Sequence, residues 1–246
     1  MNVPRRLCVR APNWVGDLVM ATPVLEAAHG ASAELAIVVR AHLAPLLADA
    51  PWASAVRPVR DSREETALLR ELAPGAVLLL TNSLGAAWRA FRARVPLRAG
   101  AALSGRRLLL THSVVPPTRA GRRVAIPTAH LLRDVAGLVG LHVPELHPRL
   151  WVRDEVRSAL HATLRTLGLE PELGWIACSP GAAYGAAKLW PPERFAEVLE
   201  ALHEERGLRA VLCGGPAEAR LAADVFPGAP SPVSLAAAAR TLETLK

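Results

Sequence analysis

The chain has few aromatic residues and no apolar run long enough to cross a membrane. Aromatic residues fill 4% of its 246 positions although 51% are hydrophobic, so alanine, leucine and valine must form most of the interior. No uninterrupted apolar stretch reaches the roughly 18 residues that span a bilayer. Met1–Arg10 also lacks the apolar core of a signal peptide, which predicts a cytoplasmic protein.

Cysteine and lysine are also scarce. The three cysteines, Cys8, Cys178 and Cys213, fall in predicted strands and have neither metal-site nor redox spacing, so we expect buried, inert thiols. The scattered histidines suggest no metal site, and no Asp-x-Asp pair is present to hold a metal on a diphosphate. The sequence therefore predicts no metal and no cofactor. Of 29 basic residues, only Lys188 and Lys246 are lysines.

The charge balance favours an anionic partner. A formal net charge of +7 suits nucleic acid, an anionic lipid surface or a phosphorylated substrate. The arginines are spread along the chain with few aromatic residues between them for base stacking, so no nucleic-acid partner is predicted.

Strand-like apolar runs alternate with helix-like amphipathic runs, which predicts an α/β fold with a parallel sheet. In the first half the predicted strands are 7–10, 35–39, 56–59 and 76–80, with short segments around Leu97 and over Leu108–Leu110.

Helix starts are marked by capping residues. Pro23 suits the first turn of a helix capped by Thr22 but would kink a helix begun at Asp17, and both alternatives are kept. The spacing of Ser62 and Glu65 predicts a capping box for a helix ending near Leu72. A further helix is predicted over 84–92.

The proline-containing segment 141–148 reads as a connection between domains 1–150 and 151–246. The second domain is predicted to contain a helix over 154–167 and a strand over 175–178. A helix from Pro191 or Pro192, ended by Gly207, and a strand over 208–213 follow.

The loop from Ser179 to Pro192 combines small residues with the chain's one internal lysine. Small residues let the backbone approach a ligand, and the N–H groups at the start of the next helix suit an anion. Lys188 adds a compact positive charge, typical of a phosphate-binding loop. The alternative is a solvated loop lysine.

Other candidates lie where predicted strands end. Asp17 is either a helix-start carboxylate or a general base, and Asn82 and Ser83 either bind a substrate or form a turn. Gly214–Gly215 leaves room for a nucleotide, and Glu218 is either a ribose acceptor or an ordinary first-turn acid.

Together, these segments resemble a known family. Asn13–Asp17, Thr81–Ser83, Ser179–Ala182 and Lys188–Pro191 look like motifs of the ADP-heptose:lipopolysaccharide heptosyltransferases, glycosyltransferase family 9, closest to the heptosyltransferase II type. The resemblance runs in order from about Leu7 to about Ala222.

The resemblance implies a GT-B-like α/β fold with two Rossmann-like lobes, the first for the lipid-linked acceptor and the second for the nucleotide sugar. It also implies inverting, metal-independent transfer of heptose from ADP-heptose to the lipopolysaccharide inner core. The acceptor would be a lipid A-core molecule at the cytoplasmic face of the inner membrane, where the protein would be peripheral.

By the same resemblance, Asp17 is the base on the acceptor hydroxyl and Lys188 stabilises the departing diphosphate. The implied acceptor-binding residues are Asn13, Trp14, Gly16, Asn82 and Ser83. The implied donor-binding residues are Ser179, Gly181, Ala182, Lys188, Gly214, Gly215 and Glu218, of which Glu218 contacts the adenosine ribose.

The sequence departs from the family pattern near its end. The family's Asp-Ser/Thr-Gly-x-x-His stretch has no match, and the residues after Gly168 are about half of the roughly 150 that a full lobe takes. An incomplete second lobe is therefore expected. The alternative to a transferase is a truncated, non-catalytic homologue that binds acceptor but not donor.

Overall fold

The computed structural model describes residues 2–166, 170, 172, 175–181, 188–213 and 225. The chain divides between Trp151 and Val152 into two compact units, each of which is described by itself. No helix in the described ranges combines the length and the apolar character needed to span a bilayer.

Within residues 2–151, strands and helices alternate along the chain. The strands are β1 (Arg6–Arg10), β2 (Glu34–Arg40), β3 (Val56–Val59), β4 (Ala76–Leu79), β5 (Leu97–Ala101), β6 (His112–Val114), β7 (Thr118–Arg119) and β8 (Arg122–Arg123). The helices are α1 (Val15–Ala31), α2 (Ser62–Leu72), α3 (Leu84–Arg92) and α4 (Thr128–Gly137), with 3₁₀ helices over Ala41–Leu47, Ala53–Ala55 and Arg106–Leu109.

Six of these strands form one parallel sheet in the order β3-β2-β1-β4-β5-β6. This is the doubly wound order of a Rossmann-like unit, and it reverses between β1 and β4. Open sheets of this type bind ligands in the crevice beyond the carboxyl ends of the strands at that reversal.

Helices cover both faces of the sheet. Alternate strand residues such as Val9 and Leu78 pack with α1 and α4, while their neighbours Cys8 and Val77 pack with α2 and α3. Strands that are buried on both sides need continuous apolar runs, which is why β2 and β4 could be recognised from composition.

Helix α1 begins at Val15 and continues through Pro23, so the alternative of a helix capped by Thr22 is wrong. Proline lacks an N–H, which removes the usual helical donor to the carbonyl of Val19 four residues earlier. The Thr22 hydroxyl donates to that carbonyl at 2.8 Å. Thr22 Oγ1 in turn accepts from the Arg149 backbone N–H at 3.0 Å.

One other prediction in this unit needs correction, and the structure assigns one segment that the sequence left open. Helix α2 is capped by Asp61, whose Oδ1 accepts from the N–H groups of Arg63 and Glu64 at 2.8 and 2.9 Å, and not by a Ser62–Glu65 capping box. The segment Leu108–Leu110 forms no strand, because a 3₁₀ helix occupies Arg106–Leu109 and β6 begins at His112.

The described part of the second unit contains α5 (Asp154–Thr166), β9 (Trp175–Cys178), α6 (Pro192–Arg206) and β10 (Arg209–Leu212). Strands β9 and β10 pair in parallel, and α6 packs on them through Leu199 and Phe195. Gly207 ends α6 with φ 65°, a left-handed conformation that glycine adopts without strain.

Candidate functional site

A cavity of about 510 Å³ lies in the first unit where the strand order reverses. Its walls come from the loop after β1, the loop after β4, the segment around the β7–β8 hairpin and the start of α4. It brings together five of the predicted site residues: Asn13, Trp14, Asp17, Asn82 and Ser83.

Asp17 is the one acidic residue among the residues that line this cavity. It sits half-buried in the first turn of α1, where the N–H groups of the helix terminus stabilise a negative charge. Its carboxylate makes no hydrogen bond or ion pair with the described residues, so it is available to a ligand. Gly16, its exposed neighbour, does not line the cavity.

Asn13 joins the ends of the two central strands. Its Oδ1 accepts from the Arg10 guanidinium at 2.8 Å, and its Nδ2 donates to Thr81 Oγ1 at 3.3 Å. Thr81 directly follows β4, so this bridge holds the loops after β1 and β4 in register across the cavity floor.

A buried ionic cluster holds Arg10 in turn. The Nε atoms of Arg10 and Arg89 each lie 3.1 Å from Oε1 of Glu65, and the side chains are 2%, 12% and 1% exposed, respectively. Burial lowers the pKa of Arg10, while the charge of Glu65 raises it. The single negative charge of Glu65 thus compensates the positive charges of two guanidinium groups beneath the site.

Arg106 holds the loop after β4 from the other side. Its fully buried guanidinium donates to the carbonyls of Ala101 at 2.8 Å and of Thr81, and to Asn82 Oδ1 at 3.2 Å. It has no carboxylate partner within residues 2–166, and burial lowers its pKa to about 10. Backbone and amide oxygens therefore solvate this cation in place of water.

Asn82 and Ser83 have local structural roles and also reach the cavity. Ser83 Oγ accepts from the Ala86 N–H at 3.3 Å and so caps α3, while Asn82 is held through its oxygen by Arg106. Both residues also line the cavity. The bond to Arg106 leaves the Asn82 amide nitrogen as a donor for a bound molecule.

The opposite wall is basic and apolar. It carries Arg123 from β8 and Val124 and Ile126 from the segment that follows, together with Leu131 and Leu132 from α4. Arg123 places a positive charge on the wall of a cavity that also contains Asp17, so the site suits a polar ligand that carries anionic groups.

In the second unit, Ser179 and Gly181 follow the carboxyl end of β9, and Lys188 is exposed shortly before α6. The rings of Trp190 and Phe195 pack in a T-shaped arrangement with centroids 4.9 Å apart, which fixes this segment to α6. The predicted donor residues Ala182, Gly214, Gly215 and Glu218 lie outside the described residues.

Sequence reasoning missed the cations beneath the cavity. Arg10, Arg89 and Arg106 looked like three among many arginines, because nothing local distinguishes a buried guanidinium from a solvated one. A Ser-Gly turn signal precedes Arg106, and both Ser104 and Gly105 adopt positive φ. That signal marks the turn but not the inward direction of the arginine.

Comparison with known proteins gives consistent matches. The model of glycosyltransferase family 9 (heptosyltransferase) matches residues 66–242. Lipopolysaccharide heptosyltransferase 2 of Salmonella typhimurium is 28% identical over 225 residues, which cover 85% of this chain and 63% of that protein. The chain thus spans less than two thirds of the length of this relative.

Two solved structures have a similar fold. The Escherichia coli ADP-heptose lipopolysaccharide heptosyltransferase II matches with a TM-score of 0.69 and 26% identity, covering 92% of this chain and 69% of that one. A family 9 glycosyltransferase from Veillonella parvula matches with a TM-score of 0.75 and 19% identity, covering 95% and 70%. The predicted α/β, GT-B-like fold class is confirmed.

Proposed function

Because the chain belongs to glycosyltransferase family 9, the heptosyltransferase family, we propose that it transfers heptose from ADP-heptose to the inner core of lipopolysaccharide. The observation that carries this proposal is the cavity at the strand-order reversal, where the carboxylate of Asp17 stands among polar residues and pairs with none of the described residues. The acceptor is a lipid A-core molecule that presents a sugar hydroxyl to Asp17 at the inner membrane.

The proposed reaction is a single displacement. Asp17 takes the proton of the acceptor hydroxyl as its oxygen bonds to the anomeric carbon of heptose. The bond from that carbon to the diphosphate oxygen breaks on the opposite side, so the configuration inverts and ADP leaves. Asn13, Trp14, Asn82 and Ser83 surround the acceptor, whereas Gly16 lies outside the cavity and is given no contact with it.

The donor is assigned to the second unit. Ser179 and Gly181 follow the carboxyl end of β9, and their small side chains suit the approach of a diphosphate to the backbone. The Lys188 ammonium stabilises the negative charge that develops on the leaving ADP, so no metal ion is needed. Ala182, Gly214, Gly215 and Glu218 complete this assignment, with Glu218 on the ribose.

A transfer assay with ADP-heptose and a deacylated lipid A-core acceptor tests the role of Asp17. Asp17→Asn keeps the size of the side chain but removes the base, so kcat should fall about 10²- to 10⁴-fold while acceptor binding persists. Asp134→Asn, which alters an exposed aspartate of α4, is the matched control and should leave kcat unchanged. Undiminished transfer by Asp17→Asn would remove Asp17 from this role.

Calorimetry with ADP separates transfer from binding alone. We expect wild-type protein to bind ADP and Lys188→Gln to bind it more weakly, with Arg194→Gln on the exposed side of α6 as the control. Acceptor binding without ADP binding by the wild type would instead favour a non-catalytic acceptor-binding protein.

A further inference from the structure

Helix α3 turns its small residues inward and its large apolar residues outward. Ala86, Ala87 and Ala90 are fully buried against the sheet. Leu84, Trp88 and Phe91 are 50%, 48% and 45% exposed. The spacing of the exposed three places them on one helical face, so this apolar stripe contributes little to the core.

The stripe continues beyond the helix and is ordered. The rings of Trp88 and Phe91 stack with centroids 5.7 Å apart, and the Arg98 guanidinium carbon lies 5.5 Å from the Phe91 centroid. Leu108, on the 3₁₀ helix that contacts α3, is 93% exposed. Contiguous exposed apolar side chains of this kind mark an interaction surface.

A basic groove adjoins the stripe at Phe91. It is open, measures about 780 Å³ and is lined by four arginines and no acidic residue: Arg70, Arg92, Arg94 and Arg98. Arg98 donates to the carbonyls of Leu109 and Val95. The other three form no ion pair with any described residue, so their charges remain available to an anionic partner.

Arg94 occupies a position where the fold favours glycine. Its φ is 58°, and it follows α3 in a hydrogen-bonded C-terminal turn: Arg94 N–H donates to Phe91 O, and Val95 N–H donates to Ala90 O. Glycine is the usual residue there because a side chain strains this left-handed conformation. An exposed arginine at this position therefore contributes something other than backbone stability.

The apolar stripe and the groove arginines together form what we call the α3 surface: Leu84, Trp88, Phe91 and Leu108 with Arg70, Arg92 and Arg94. We propose that the α3 surface binds the anionic face of a phospholipid bilayer. Tryptophan and other large apolar side chains insert at the level of the headgroups, and arginines attract anionic phosphates. The combination of an apolar stripe with uncompensated arginines fits a lipid surface better than an uncharged protein partner.

The position of the stripe connects bilayer binding with the cavity. It begins directly after Ser83, which lines the cavity and caps α3. A bilayer that reaches the Leu84 end of the α3 surface therefore lies near the Ser83 side of the cavity, where a lipid-linked acceptor can enter. This last step rests on the proposed function, whereas bilayer binding itself does not.

Cosedimentation with vesicles tests the proposal. The full chain should bind vesicles of phosphatidylglycerol and phosphatidylethanolamine but not vesicles of phosphatidylcholine alone, and added salt should weaken the binding. Arg92→Gln and Arg94→Gly should each weaken it about fivefold. Trp88→Ser with Phe91→Ser should weaken it about tenfold or more, because the inserted apolar area is lost.

Arg133→Gln and Arg149→Gln, made singly, are the matched controls for net charge. Arg133 lies on α4 and Arg149 pairs with Glu26 of α1, on the opposite face of the sheet, so each control should bind as the wild type does. An equal loss in either control, no binding by the wild type, or unchanged binding by the aromatic variant would overturn the proposal.

Two further measurements separate the alternatives. A wild-type dimer in sedimentation velocity that dissociates in the Trp88→Ser, Phe91→Ser variant would assign the surface to a second copy of the chain and overturn the proposal. Transfer to the deacylated acceptor should be unchanged in every α3-surface variant. If the wild type binds vesicles but transfers no heptose, the proposed function fails and the bilayer surface stands.

Discussion

Replacing Glu65 by glutamine should destabilise the first unit more than the same replacement at any other glutamate of α2. The carboxylate is 1% exposed and compensates Arg10 and Arg89, whose Nε atoms both lie 3.1 Å from Oε1. Breaking a buried ion pair costs roughly 3–5 kcal/mol, because the remaining charge stays buried. Arg89 can gain some solvent at 12% exposure but Arg10 cannot at 2%, so we expect about 3 kcal/mol.

Urea unfolding followed by circular dichroism measures this loss as a lower midpoint with an unchanged slope. Glu71→Gln, on the exposed side of the same helix, is the matched control and should leave the midpoint unchanged. In an Arg10→Met background, Glu65→Gln should cost at least about 1 kcal/mol less, because one buried charge is already absent. A midpoint for Glu65→Gln equal to that of Glu71→Gln would refute the assigned compensation.

Three other variants probe separate features. Arg94→Gly should raise the free energy of unfolding by about 1 kcal/mol by relieving the left-handed strain, which urea unfolding measures; a loss would contradict the turn geometry. Arg106→Lys should lower it by about 2 kcal/mol and raise the KM for acceptor, because an ammonium cannot reach all the oxygens that the guanidinium holds. Burial and then the charge of Glu65 raise the pKa of Cys8 from 9.0 to about 12. As the pH rises, the thiol therefore ionises in the unfolded chain before it ionises in the folded protein. The free energy of unfolding should then fall between pH 9 and pH 12 by up to about 1.4 kcal/mol per pH unit, and Cys8→Ala should remove this slope.

Local signals predicted the parts of the fold that local chemistry determines. The predicted bounds 84–92 for α3 and 175–178 for β9 are confirmed, because a serine cap marks the first and an apolar run between polar segments marks the second. The short segment 108–110 was not assigned to a helix or a strand from the sequence. Leucines suit a strand and a short helix equally well, and there the tertiary contacts of the buried Arg106 select the helix.

The site likewise contains residues that local sequence signals reveal and others that they do not. The position of Asp17, Asn82 and Ser83 at one cavity could be predicted because they follow strands whose carboxyl ends must meet at one edge of a parallel sheet. Glu65 was assigned to a capping box, yet its partners are Arg10 and Arg89, respectively 55 and 24 positions away along the chain. Charge compensation over such separations leaves no periodic or local trace in a sequence, so it emerged only from the structure.

The two sides of the cavity differ in how well they should tolerate substitutions. Thr81, Asn82 and Ser83 are held by Arg106, by Asn13 and by the start of α3, so altering this side disturbs several elements together. Residues 117–125 on the other side are all exposed, and their hairpin has strands of only two residues. A library designed to change the acceptor of the proposed reaction should therefore randomise the hairpin and keep the strand-end loop constant.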